Sequence, residues 1–422
     1  MSALSRERAA KLDQEDGLAS FRQQFVIEDP DLIYLDGNSL GRPPLTVAKR
    51  MQEAVEVEWA TQLIGAWNSG WWEAPTRIGA MLAPLLGTDA DEVIVGDQTS
   101  LNLFKLATAA LHLRPGRPRI VTDTLNFPSD LYVLQGITHM LGDRHEIIRV
   151  GSLDDGVTPD LEALTSAIDK KTALVTLSHV AFKSGYLYEM RHITEMGHRV
   201  GALVLWDLSH SAGAVPIALD ECEADFAVGC TYKYLNGGPG APAFLYVNRS
   251  LHQDALSPIW GWWGEAQPFA FAQEYQPAPG ILRFLSGTAP MLSMIALEES
   301  LRPVLAAGIE PLRQKSIALT EYAIELADAQ LLPLGFRLGS PRESERRGSH
   351  VSLRHPEGYR INRALIGEMK VVPDFREPDN LRLGFAPLYV SFKDAWEAIE
   401  RLRRVVLERR FEKYPFQRLL VT

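Results

Sequence analysis

Cysteine is nearly missing from this sequence: Cys222 and Cys230 are the only two among 422 residues. Two thiols cannot build a disulfide framework, so the chain must hold itself together by burying apolar surface. Long apolar runs are missing as well. No stretch reaches the roughly 20 apolar residues that a membrane-spanning helix needs. The opening MSALSRERAAKLDQEDGLAS carries charge where a secretory leader would carry a hydrophobic run. Positive charge is in deficit, with 43 Lys and Arg against 53 Asp and Glu and a net charge of −10. That balance argues against nucleic acid or an anionic membrane as the main partner. The ten histidines fall into neither H-E-x-x-H nor a Cys/His ligand spacing, so no metal is expected. No phosphate-binding G-x-x-x-x-G-K-[ST] occurs. The expectation is a cytoplasmic globular protein.

What the chain does contain is alternation. From about residue 90 to 250, short β-rich apolar runs alternate with longer stretches of helical spacing. The runs are EVIVGD (92–97), RIVTD (119–123), ALVTLSHV (173–180), GALVLWDLSH (201–210), DFAVGCTYKY (225–234) and APAFLYV (241–247). Between them lie segments such as LNLFKLATAALHL (101–113) and DLEALTSAI (160–168). Continuous apolar runs bounded by Gly, Asp and Ser predict strands buried on both faces of a mainly parallel sheet, the α/β pattern.

The last third reads differently. Helical text runs from Pro290 to about Ala329, followed by GFRLGSPRESERRGSHVSLRH (335–355), whose charged middle reads as a solvated hairpin or loop. Ser391 and Asp394 have the spacing of a capping box, and Phe392, Trp396, Ile399, Leu402 and Val406 make one apolar stripe of a final helix. The length accommodates more than one domain. The expected division is an N-terminal arm (1–50) packing on a small C-terminal α+β domain (295–422), with a large α/β domain (51–294) between them.

In open α/β sheets, ligands gather at the C-terminal ends of the strands. Asp207 follows Val-Leu-Trp at such an end, His210 comes three residues later, and Lys233 closes a later run. Taken alone, Asp207 could simply cap the next turn. Together, an Asp, a His and a Lys at strand ends suit pyridoxal phosphate, which needs a lysine for covalent attachment and an acid to keep its ring nitrogen protonated. Thr99 and Ser100 open a helix after the strand EVIVGD, where free backbone N–H groups can cradle a phosphate; alone they read as helix caps. Phe127 in LNFPSD could stack on a flat ring or fill a core. GPGAPA (238–243) superficially matches a dinucleotide fingerprint, but it precedes a strand instead of opening a helix.

Seven blocks spread over nearly the whole chain carry a closer resemblance: YLDGNSLGRPP (34–44), NFPSDLY (126–132), WDLSHSAGAVP (206–216), TYKYLNGGPG (231–240), GWWG (261–264), RGSHVSLRHPEGY (347–359) and GFAPLYVSF (384–392). The chain resembles the bacterial kynureninases, a family of fold-type I pyridoxal-phosphate enzymes. The resemblance implies a homodimer that hydrolyses L-kynurenine, and 3-hydroxy-L-kynurenine with it, to the anthranilate and L-alanine in tryptophan breakdown. It implies Lys233 as the lysine carrying the cofactor, Asp207 as partner of the ring nitrogen, His210 at the cofactor's phenolate edge and Phe127 stacked on the ring. Thr99, Ser100, Ser129, Asp130 and Tyr232 would hold the cofactor and its phosphate, with Tyr232 also relaying a proton. Trp262 and Thr288 would reach in from the partner subunit, and Arg382, with Ser39, would bind the substrate. GWWG departs from the family's common GWFG at Trp263, which puts substrate fit in question. A cysteine desulfurase of the same fold would need a nucleophilic cysteine well after the lysine, and both cysteines here precede Lys233.

Overall fold

The computed structural model describes residues 5–419. Residues 1–4 of the expected arm and 420–422 of the expected small domain lie outside the described residues. Near the start, β1 (Ile33–Tyr34) is a two-residue strand. The central sheet then comprises β2 (Val93–Val95), β3 (Arg119–Asp123), β4 (Glu146–Val150), β5 (Thr172–Ser178), β6 (Leu203–Asp207), β7 (Phe226–Gly229) and β8 (Phe244–Val247). Their spatial order is β2-β8-β7-β6-β5-β3-β4. The run β4-β3-β5-β6-β7 is parallel throughout, and β8 runs antiparallel to both β7 and β2.

Every residue of β5, β6, β7 and β8 is buried, as a sheet covered by helices on both faces requires. The helices Thr99–Leu113, Pro128–Met140, Leu161–Ala167 and Met190–Arg199 fall between strands in the chain. The expected runs 92–97, 119–123, 173–180, 201–210, 225–234 and 241–247 each contain one strand. The exception to the sequence reading is β4, EIIRV. It is an edge strand with Glu146 and Arg149 exposed, so it lacks the continuous apolar run that marks its neighbours.

Beyond the sheet, the helical text of 290–329 forms two helices, Met291–Ala307 and Ile309–Gln330, meeting at Gly308. A four-stranded antiparallel sheet follows, built from β9 (Arg337–Leu338), β10 (His350–Arg354), β12 (Asp374–Arg376) and β13 (Asn380–Gly384) in the order β12-β13-β10-β9. Between them, β11 (Val371–Val372) pairs in parallel with β1. The charged stretch 335–355 is indeed a hairpin of β9 and β10, and Arg342, Glu343, Glu345 and Arg346 are exposed. Arg347 departs from that reading: it is fully buried and donates to the carbonyls of Pro341 and Arg342.

The final helix spans Phe392–Leu407, and its capping box is in place. Ser391 Oγ accepts from the Asp394 backbone at 3.0 Å, and Asp394 accepts from the Ser391 backbone at 2.9 Å. Phe392, Ile399 and Leu402 are buried, so the apolar stripe faces the core. The N-terminal segment is bound to this region by polar contacts. Asp13 accepts from the backbone of Phe392 at 2.7 Å, and Asp16 pairs with the buried Lys315 at 2.6 Å. Among the described residues no helix is long and apolar enough to cross a membrane.

Candidate active site

The C-terminal ends of β3, β5 and β6 and the segment after β7 converge on one cavity of about 200 Å³. Its lining includes Thr99, Ser100, Phe127, Ser129, Asp130, Asp207, His210, Tyr232, Lys233, Ser39 and Arg382. These residues lie up to 343 positions apart in the chain, as in the bond from Arg382 Nη2 to Ser39 Oγ at 2.9 Å. Lys233 is half-buried, and its ammonium donates to His210 Nε2 at 3.0 Å and lies 5.9 Å from the centre of the Phe127 ring. Phe127 is 41% exposed, so it is an open face and not a core aromatic. It meets Phe182 edge-on at 5.2 Å.

The backbone holds Lys233 by close approach. The Gly41 N–H donates to the Tyr232 carbonyl at 2.8 Å. A Cβ on Gly41 would come within 2.4 Å of the Lys233 carbonyl oxygen, so only glycine lets the N-terminal segment lie there. Past the lysine, Gly238 at φ +90° completes the turn that returns the chain into β8.

At the other end of the cavity two helices begin side by side. Ser100 Oγ and Ser129 Oγ are 3.0 Å apart, in the first turns of Thr99–Leu113 and Pro128–Met140. Thr99 is the first residue of its helix and not its cap; Gln98 occupies the cap position. The loop before it is fixed by Lys105, a fully buried ammonium that donates to Asp97 at 2.5 Å and to the Phe284 carbonyl at 2.6 Å. Free N–H groups and hydroxyls at paired helix starts favour an anion.

Trp262 and Thr288 do not line this cavity. Trp262 packs in a cluster with Trp67, Trp72, Trp263 and Phe269, and Thr288 is exposed. Trp263 is buried within the same cluster, so the departure at GWWG fills aromatic core.

Comparison with known proteins decides the family. The chain is 43% identical over 418 residues to the kynureninase of Pseudomonas fluorescens, covering 98% of each. It is 44% identical over 407 residues to the kynureninase of Burkholderia mallei, covering 95% of each. The chain belongs to the kynureninase family. Residues 312–402 match the family model "Kynureninase C-terminal domain". In fold, the chain is similar to a cysteine desulfurase of Thermococcus onnurineus (TM-score 0.77, 18% identity, 94% of this chain and 98% of that one). That likeness agrees with the expected fold type I; the desulfurase chemistry finds no counterpart, because Cys230 is buried and Cys222 lies outside the cavity.

Within this family setting the charges of the cavity are unevenly held. Asp207 is buried, and its Oδ1 accepts from the Ser209 backbone at 2.9 Å and the Ser209 hydroxyl at 2.6 Å. Its Oδ2 has only the hydroxyl of Ser178 at 3.5 Å. Asp130 lies beside it; burial, and then the Asp207 charge, push the Asp130 carboxyl well above the usual range. Burial and the Lys233 charge push His210 well below its ordinary value, so its ring is neutral and accepts from Lys233. The charge of Cys230 alongside, followed by burial, pushes the Tyr232 phenol up, leaving its O–H intact at neutral pH.

Four residues of the cavity escaped the sequence reading: Asn38, Phe182, Ser209 and Arg376. Arg376 had a legible signal. In D-F-R the residues Asp374 and Arg376 point to one face of β12, and Asp374 sits directly across from Arg382 on β13. Ser39, expected to touch substrate, here donates its proton to Asp374 Oδ2 at 2.9 Å and accepts from Arg382.

Next to Asp374, burial and then the Asp374 charge push Asp36 up to about 7. A carboxyl that binds its proton more tightly when folded makes the folded state lose stability as pH rises from the ordinary carboxylate range to about 7. The variant Asp36→Asn removes that loss. Its melting temperature relative to the parent is expected to climb between pH 4 and pH 7 and then level off; a difference independent of pH would contradict this assignment.

Proposed function

We propose that the chain hydrolyses the Cβ–Cγ bond of L-kynurenine, releasing anthranilate and L-alanine, with pyridoxal 5'-phosphate as cofactor. The observation that carries this reading is kinship over 98% of the chain to a kynureninase, joined to a cavity where Lys233 and Arg382 share one wall-to-wall space.

The residues fit the cofactor. Asp130 Oδ2 and His210 Nδ1 are buried polar atoms without partners, and Asp207 Oδ2 is weakly engaged. Unpartnered buried polar groups are costly, and a ring bearing a protonated nitrogen satisfies both the stray acceptor and the excess carboxylate charge. The paired helix starts at Thr99, Ser100 and Ser129 suit its phosphate, and the open face of Phe127 suits its ring.

When bound, pyridoxal phosphate supplies an electron sink for charge left at the substrate's Cα. The chain does the rest. Lys233 carries the cofactor and, once displaced by the substrate amine, takes the Cα proton. Asp207 keeps the ring nitrogen protonated, with Asp130 beside it. His210, held neutral, supports the phenolate edge and accepts from the lysine. Tyr232 keeps a donor O–H for the phosphate and for proton return. Arg382 holds the substrate carboxylate, and water attacks the γ-carbonyl.

The parts divide accordingly: residues 51–294 hold the cofactor, and 295–422, with the arm 1–50, bring Ser39 and Arg382. The enzyme works as a homodimer in which Trp262 and Thr288 enter the neighbouring cavity. Supporting this, Trp262 is partly exposed outside its own cavity, and Trp59, Leu63, Ile64, Phe269 and Phe271 form exposed apolar surface in the nearby segments 54–64 and 260–271. The 3-hydroxy derivative is a second substrate. The test uses the cofactor-loaded protein, sized by light scattering and assayed for fluorescent anthranilate with each substrate. A dimer active on both is expected; a monomer, inactivity on kynurenine, or rejection of the hydroxylated compound would remove the corresponding part.

A further inference from the structure

We infer that Arg376 is a second substrate anchor, which with Arg382 forms a two-guanidinium clamp on the α-carboxylate, both cations being positioned by Asp374. The inference rests on the functional reading above and extends it to a residue that reading does not use.

The argument is a count of donors. A guanidinium has five N–H groups. Arg382 Nε donates to Asp374 Oδ1 at 3.0 Å, and Nη2 donates to Asp374 Oδ2 and to Ser39 Oγ, the latter at 2.9 Å. Nη1 donates to the Phe182 carbonyl at 2.5 Å. One N–H remains, and a carboxylate held by two parallel bonds needs two. Arg376 supplies the difference. Its Nη2 pairs with Asp374 Oδ2 at 2.8 Å, and Nη1 bonds weakly to the Phe375 carbonyl at 3.3 Å. Its Nε and a second Nη1 proton are unspent.

Charge points the same way. Asp374 is already matched by the paired bonds from Arg382, so Arg376 leaves this group with one surplus positive charge. Asp36 does not cancel it below pH 7, being held protonated by burial. The Arg376 side chain is also the most open of the three, 36% exposed against 2% for Arg382 and 1% for Asp374, and it lines the cavity. A purely structural counter-ion would be buried with its partner.

The test compares ligands with and without a carboxylate on the cofactor-loaded protein at pH 6.5. L-Alanine and kynuramine, which is kynurenine lacking its carboxylate, are titrated against the cofactor's visible absorbance. Arg376→Gln should weaken L-alanine roughly 10- to 100-fold, as expected for losing a charged hydrogen bond, and leave kynuramine within about twofold. With L-kynurenine the KM should rise more than kcat falls. Equal weakening of both ligands, or of neither, overturns the clamp. If Arg376→Gln does not retain cofactor, Arg376→Lys carries the same comparison; loss of cofactor there too would make Arg376 structural and overturn the proposal. The L-alanine titration reads the clamp even if the parent protein releases no anthranilate, so failure of the activity and failure of the clamp are separable.

Discussion

Replacing Lys233 with alanine is expected to lower turnover of L-kynurenine by about 10⁴-fold, the upper end of the range for general acid–base groups, because this amine both carries the cofactor and moves the Cα proton. The fold should survive. Lys233 is half-buried, and its only close polar partner is the neutral His210. The substitution also removes one of the two main pressures on His210, so that ring should become easier to protonate while burial continues to hold it low. Steady-state kinetics on cofactor-supplemented Lys233→Ala would check the first point. Activity within tenfold of the parent would remove Lys233 from the chemistry.

The second large effect concerns Asp207. Asp207→Asn keeps the shape and the acceptor for Ser209 but cannot hold a proton on a ring nitrogen by charge. Loss of such preorganised electrostatic stabilisation is typically worth about 10²–10³ in kcat. Asp130 makes the outcome more informative. Its carboxyl is held high partly by the Asp207 charge, so with Asp207 neutral it ionises more readily and can partly replace it. Asp130→Asn alone should therefore cost less than Asp207→Asn, and the double variant more than the product of the two losses. Strict multiplicativity would show that the two carboxylates act independently.

Much of this site is legible in the sequence because a parallel sheet puts its chemistry at strand ends. Asp207, His210 and Lys233 each follow an uninterrupted buried strand, and that pattern is local. What escaped is what depends on distant packing. The edge strand β4 alternates exposed and buried residues and so hides among helical text. Arg376 and Asn38 look like ordinary surface polar residues until the pairing of β12 with β13, and the passage of the N-terminal segment beside Lys233, bring them to the cavity. Ser39 shows the converse. Its motif marks it correctly as part of the site, but its single proton is spent on Asp374, so it steadies the arginines and does not face the ligand. Arg347 follows the same logic within a charged stretch, because burial of a single guanidinium among carbonyls leaves no periodic trace in the sequence.

The central claim is hydrolytic cleavage between Cβ and Cγ, and product balance tests it most directly. Cofactor-loaded protein is incubated with L-kynurenine and no added keto acid, and anthranilate and L-alanine are quantified over time. One alanine per anthranilate, accumulating together over many turnovers, is the predicted result. Loss of kynurenine without anthranilate, or transfer of its amine to an added keto acid in place of alanine release, would contradict the account and assign the cavity to a different reaction of the same cofactor.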